Sequence, residues 1–236
     1  FTPLLLLGLV FYYRKNLWQI KTYTLTSFIL GLLLILPVVN ILLSKEGRVR
    51  FQGVSVFADS AFLEPSIKKI EEDQKDKIPL AQILHNRRLE YIWFFSKGYL
   101  SHFDLNFLFT SGGTSPMHHP PNMGQLYLWE LPFVIFGIIA LLRIKGPARF
   151  LVFWWFLMAP LASAPTRDAP NAVRTLIFLP TFQIFTALGV REFLNFKRIL
   201  LAPLLLVVAA NFLYYLHLYY THLPRDLSSY WQYGYR

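Results

Sequence analysis

The feature that most constrains this chain is an uncharged run of 22 residues, 22–43. At 1.5 Å of rise per residue, a helix of that length crosses a bilayer core of roughly 30 Å. Further apolar runs follow at 125–142, which carries one charge, Glu130, and at 150–165, 175–190 and 199–216. Residues 1–13 are also apolar but too short to cross fully, and they begin at Phe with no basic leader or cleavage site, so the chain reads as cut inside a helix. The expectation is an all-α polytopic membrane protein with about five or six transmembrane helices. Composition agrees. Hydrophobic residues make up 55% and charged residues 15% of the 236, against about 25% charged in ordinary soluble domains. Such a chain is too apolar to be intrinsically disordered. With no cysteine, disulfides, thiolate metal sites and a cysteine nucleophile are excluded.

The formal net charge of +10 would suggest nucleic acid in a soluble protein. Here its location gives another reading. Nine basic residues sit in three short connections between successive apolar runs: Arg14, Lys15 and Lys21; Arg143, Lys145 and Arg149; Arg191, Lys197 and Arg198. They are accompanied by one acid, Glu192. The positive-inside rule places these connections in the cytoplasm, and the excess charge becomes a topology signal with no nucleic-acid partner implied. Segments 44–124, 166–174 and 217–236 then face outward. The chain divides into helices at 1–43, an outer loop at 44–124, a four-span bundle at 125–216 and an outer end at 217–236.

A loop as long as 44–124 is usually functional. Arg48-Val-Arg-Phe-Gln52 alternates like a short strand. Residues 66–77 read as a solvated charged helix. Residues 80–103 mix Tyr91, Trp93, Phe94, Phe95 and Tyr99 with Arg87, Arg88 and Lys97. That composition suits a helix lying in the headgroup region or one packed on the bundle.

Two loops carry concentrated polar chemistry. In Thr166-Arg-Asp-Ala-Pro-Asn-Ala-Val-Arg174, the flanking runs are short, which sinks the loop below the outer surface, where charges are costly unless used. Arg167 and Arg174 together match phosphate oxygens, and Asp168 is placed to hold either one. Pro170, ahead of the next helix, would aim free N–H groups at the same spot. The alternative is an interfacial loop whose arginines snorkel to headgroups. The second loop, 111–125, is shaped by Gly and Pro and contains His118 and His119. The pair is of a kind that binds metal, a phosphate or a hydroxyl, or that satisfies loop hydrogen bonds. Adjacent histidines diverge and no His-Glu-x-x-His spacing occurs, so the zinc signal is weak. The sequence shows no required cofactor and leaves a divalent metal open. Of the outward carboxylates Glu46, Asp59, Glu64, Glu90, Asp104, Glu130, Asp168 and Asp226, no pair can be matched from sequence. Glu130, at the outer end of a run, reads as a structural hydrogen-bond partner.

The run His102-Phe-Asp-Leu-Asn-Phe-Leu-Phe-Thr-Ser-Gly-Gly113, then His118-His-Pro120, then Gly124-Gln-Leu-Tyr-Leu-Trp-Glu-Leu-Pro132 resembles bacterial dolichyl-phosphate-mannose–protein mannosyltransferase-like membrane proteins. These are GT-C fold glycosyltransferases related to the aminoarabinose and RgtA/B/C/D-like enzymes. The run 159–174, continuing to Leu179-Pro180 and Ala187-Leu-Gly189, resembles them too, as does the closing Tyr219-Tyr220 with Tyr230-Trp-Gln-Tyr-Gly-Tyr235. The resemblance covers the chain from about Arg48 onward.

It implies transfer of a sugar from a polyprenyl-phosphate carrier to an acceptor protein, lipid or glycan on the outer face of a bacterial cytoplasmic membrane. Arg167 and Arg174 would bind the donor phosphate, Asp168 would support them, and His118 and His119 would line the cavity. The family's catalytic Asp belongs to the first outer loop and would lie upstream of residue 1, leaving the catalytic base unassigned here. The loop before the double His also lacks the acid expected near Gly113 and the base expected near Met117. A transporter or channel with interrupted helices, or a membrane assembly subunit without chemistry, is the competing reading.

Overall fold

A computed structural model describes residues 1–58, 64–75, 87–196 and 198–230. Asp59, residues 76–86, Lys197 and the closing 231–236 lie outside the described residues, so the expectations placed on them are not addressed. Among the described residues the regular structure is helical, with a single isolated antiparallel bridge between Ser55 and Thr166. The chain forms two compact units.

One unit comprises Thr2–Gly98 with Pro165–Arg167. It holds α1 (Thr2–Tyr12), α2 (Arg14–Gln19), α3 (Lys21–Leu43), α4 (Lys45–Val54), α5 (Glu64–Lys75) and most of α6 (Arg87–Ser101). The uncharged run becomes α3, about 34 Å long at 1.5 Å per residue, and none of its residues is buried. Pro37 lies inside it, as membrane helices tolerate. The chain then turns sharply: a Cβ at Gly47 would lie 2.5 Å from the carbonyl oxygens of both Ile41 and Leu42, so only a glycine fits this elbow.

The strand expected at Arg48–Gln52 is a helix instead. Five alternating residues are too few to outweigh a local start signal, and Ser44 supplies one by accepting the Gly47 N–H at 3.2 Å. The expected charged helix is present as α5, with Glu64, Lys68, Glu71, Glu72 and Lys75 exposed. In α6, Tyr91 packs its ring 5.1 Å from that of Phe57, while Leu89, Ile92 and Trp93 stay exposed. Those three share one face at i, i+3, i+4 spacing, with exposed Arg88 and Lys97 beside it. The helix thus leaves one apolar stripe exposed. Residues 165–167 close this unit. Val56 N–H donates to Pro165 O at 3.1 Å and Arg167 N–H to Val54 O at 3.2 Å.

The other unit comprises Phe1, Tyr99–Ala164 and Asp168–Arg236. Its main helices are α7 (Glu130–Arg143), α8 (Pro147–Met158), α9 (Leu179–Phe196), α10 (Leu201–His217) and the short α11 (Leu223–Asp226). A 3-10 turn, Ala159–Ala162, extends α8, and another, Leu176–Phe178, leads into α9. Two π-helical turns, Asn106–Thr110 and Leu218–His222, complete it. The core is aromatic: Phe156 stacks on Phe178 at 5.2 Å, and Phe178 meets Phe182 edge-on at 4.7 Å.

Helices α7 and α9 both carry Phe-x-x-x-Gly, as Phe133/Gly137 and Phe185/Gly189. Each glycine lies against the backbone of the other helix's phenylalanine. A Cβ on Gly137 would fall 1.8 Å from Phe185 O, and one on Gly189 would fall 2.0 Å from Phe133 O. Small residues at such crossings let helix backbones approach closely, which is how helices associate where no hydrophobic drive separates them from lipid.

Among the described residues, three helical segments are long and apolar enough to cross a membrane: Lys21–Leu43, Leu176–Asn195 and Leu201–Asp226. The runs expected to span at 125–142 and 150–165 form shorter helices. Residues 125–129 are spent on turns, leaving α7 with 14 residues, and α8 has 12 before its 3-10 extension. A 14-residue helix is about 21 Å long, less than the roughly 30 Å bilayer core.

Candidate functional site

The loop after α8 folds around one buried amide, Asn171. Its Oδ1 accepts the Arg174 N–H at 3.0 Å, and its Nδ2 donates to Asp168 Oδ2 at 2.6 Å. Its carbonyl accepts both the Thr175 hydroxyl at 2.6 Å and the Thr175 N–H at 3.1 Å. Its own N–H points at Nε2 of His102, 3.4 Å away. His102 is fully buried and has Ser163 Oγ 3.1 Å from the same nitrogen. An Nε2 that accepts the Asn171 N–H carries no proton, so the ring proton sits on Nδ1, and Ser163 is the donor of the second bond.

Asp168 is thereby fixed from several sides. Asn171 holds Oδ2, the Arg174 guanidinium donates through Nη1 to Oδ1, and the Thr114 hydroxyl donates to its backbone carbonyl at 3.1 Å. Burial by itself would raise the Asp168 carboxyl, but the Arg174 hydrogen bond and charge, with the Asn171 amide, outweigh it and hold the group below its usual range. The sign of the linkage follows. The stabilisation is complete above the unfolded carboxyl value of about 3.9 and is lost as pH falls through the lower folded value. Both side chains are about a third exposed, which limits the pair to about 1 kcal/mol. Asp168→Asn is therefore expected to cost about that much at neutral pH. It should also flatten the stability loss below about pH 4, read from unfolding midpoints across an acid series.

The sequence-derived site residues fare differently. Arg174 and Asp168 are brought together as expected, with Asp168 as the holder. The remaining guanidinium N–H groups of Arg174 bond to no described residue. Arg167 belongs to the other unit, where Nη2 donates to Gln52 O at 3.4 Å. Pro170 does not open a helix: the next one begins at Leu176, and the intervening Arg174 and Thr175 N–H groups are taken by Asn171. The Ala169–Pro170 bond is cis.

His119 lies between two carbonyls, with Nδ1 at 3.0 Å from Pro120 O and Nε2 at 3.1 Å from Gly113 O. Its ring covers Gly112, whose φ of +68° is left-handed and whose Cβ would strike the imidazole at 2.5 Å. His118 is exposed. The roles that sequence reasoning missed are those of His102, Ser163 and Asn171. The Asp-x-x-Asn spacing was a visible sign of a side-chain-capped turn, but nothing local marks His102.

A cleft of about 290 Å³ opens in the same unit, lined by Gln125, Tyr127, Trp129, Glu130, Gln183 and Tyr215 among others. Neither His118 nor His119 lines it. Glu130 is buried, with Oε1 accepting the Tyr127 N–H and Oε2 the Thr186 hydroxyl, each at 3.1 Å. It is thus the structural partner expected, joining α7 to α9. Among the described residues no cluster of three metal-ligating side chains occurs.

No protein-family model, curated protein or solved structure matches this chain.

Proposed function

We propose that the chain is part of a multi-pass membrane glycosyltransferase that moves a sugar from a polyprenyl-phosphate donor to an acceptor on the outer face of a bacterial cytoplasmic membrane. The observation that carries this reading is Arg174. Its guanidinium is oriented by Asp168 on a buried network, keeps donors that bond to no described residue, and stands two residues before a helix of membrane-spanning length. A leaving phosphate needs fixed positive charge where negative charge develops, and a planar fork held in place supplies it without reorganising. His118 and His119 belong to this reading as cavity-lining residues. The order of the loop motifs in the sequence supports the same class.

The test is sugar release from a polyprenyl-phosphate donor by the full-length protein in membranes. Arg174→Ala should lower turnover about 100-fold, while Arg174→Lys, which keeps charge but loses the fork, should recover part of it. Unchanged turnover in Arg174→Ala removes the phosphate role. A transport reading has one observation in its favour, the short helices α7 and α8. Movement of solute into vesicles containing the protein, with no sugar transferred, would decide for it.

A further inference from the structure

We infer that the cleft between the 120–129 turn, α9 and α10 binds a small organic ammonium group carrying a neighbouring oxygen. Glu130 is the first reason. Glu130 lines the cleft and is nine-tenths buried, yet both bonds of its carboxylate come from neutral donors, Tyr127 N–H and the Thr186 hydroxyl. A carboxylate offers about four lone-pair sites, so two remain. No described residue gives it a cationic partner, and the lining contains no Lys, Arg or His. A buried charge without a counter-charge is unfavourable, and a cleft with that balance repels anions and attracts cations.

The walls select the kind of cation. Tyr127 and Tyr215 stand at 87° to one another, ring centroids 6.4 Å apart, and make an aromatic corner on the side of the cleft where α10 passes. Trp129 adds a third ring to the lining. Aromatic faces beside a carboxylate favour alkylammonium over a bare metal ion, because the ring quadrupole attracts the diffuse charge and the apolar carbons together. Metal binding would instead need several oxygen or nitrogen ligands, and here one carboxylate stands alone.

The neighbouring oxygen follows from two nitrogens in the same wall. Gln125 Nε2 and Trp129 Nε1 are buried donors without a hydrogen-bond partner. Such groups are rare and call for an explanation. A ligand oxygen one or two bonds from the amine's carbon would accept from them after a small side-chain shift. The volume of about 290 Å³ is at the small end of the range for small-molecule sites and suits an amino-alcohol head. The same chemistry occurs in a soluble amine and in an aminophospholipid headgroup. This site does not rest on the phosphate role of Arg174.

The experiment uses the full chain in nanodiscs of phosphatidylglycerol, with ethanolamine as the soluble probe and ethylene glycol as its neutral counterpart, followed by saturation-transfer NMR. In parallel, native mass spectrometry compares retained phosphatidylethanolamine with retained phosphatidylglycerol. Ethanolamine should bind and ethylene glycol should not. Glu130→Gln, which keeps the shape and the acceptor for Tyr127 N–H while the Thr186 hydroxyl turns to accept from the new amide, should weaken binding about 10-fold to 100-fold. Tyr215→Leu, which removes no hydrogen bond of the fold, should weaken it about 5-fold. Selective retention of phosphatidylethanolamine that disappears in Glu130→Gln would assign the site to lipid, and ethanolamine binding alone to a soluble amine. The inference is overturned if neither amine is preferred over its neutral or anionic counterpart. It is overturned equally if the preference survives both substitutions.

Discussion

Gly137→Ala is expected to destabilise the protein by about 3 kcal/mol, at the upper end of what overpacking usually costs. The methyl carbon would have to occupy a position 1.8 Å from Phe185 O, so the atom it meets is backbone and cannot swing aside. The helices must part, and with them goes the hydrogen bond from Thr186 to Glu130. Gly189→Ala should cost nearly as much, since its Cβ would meet Phe133 O at 2.0 Å. The double variant should lose less than the sum of the two, because the first substitution already separates the helices. Gly31→Ala is the control. Nothing lies within 4 Å of its Cβ position, and alanine is the better helix former, so it should be neutral or slightly stabilising. Thermal unfolding in detergent, followed by helical circular dichroism, measures all four.

His102→Leu should cost about 2 kcal/mol, because the buried Asn171 N–H loses its acceptor at about 1–3 kcal/mol. The Asn171 N–H and the Ser163 hydroxyl both converge on Nε2, and leucine offers neither an acceptor. The effect should reach further than stability. Asn171 is the group that ties Asp168 to Arg174, so releasing its backbone loosens the ion pair two bonds away. Limited proteolysis should therefore show cleavage within 163–175 at protease levels that leave the parent chain intact. Ser163→Ala removes one donor and leaves the acceptor for Asn171, and it should be the milder change, with the loop still protected. If His102→Leu and Ser163→Ala behave alike, Asn171 does not depend on the imidazole.

The contrast between these residues and those legible from sequence has a physical basis. Apolar runs without charge are local statements, and α3, α9 and α10 followed directly from them. The charged helix α5 did as well. The strand expected at Arg48–Gln52 failed because alternation over five residues is weaker than one serine cap. The helix expected over 125–142 is shorter than its apolar run because turn formation at 125–129 takes residues that a hydropathy count assigns to a helix. The site shows the same division. Asp168, Asn171 and Arg174 lie within seven residues of each other, and their association was partly readable. His102 reaches them across 69 residues, a pairing that leaves no mark in the chain. The bond from Arg167 to Gln52 O spans 115 residues and is as invisible in the chain as the His102 pairing.

Helix α3 buries none of its side chains, while α9 must present Phe182, Phe185 and Gly189 at fixed positions. The two helices therefore store different amounts of information. The leucines, isoleucines and valines of α3 can be permuted among themselves with little effect on the packing, since a helix of this kind needs their summed hydropathy and not their order to be long and apolar enough to cross a membrane. In α9 the same shuffling would destroy the crossing. Sequence drift should accumulate in α3 under a constraint on composition alone, so comparisons among related chains will align poorly there even where the helix is retained.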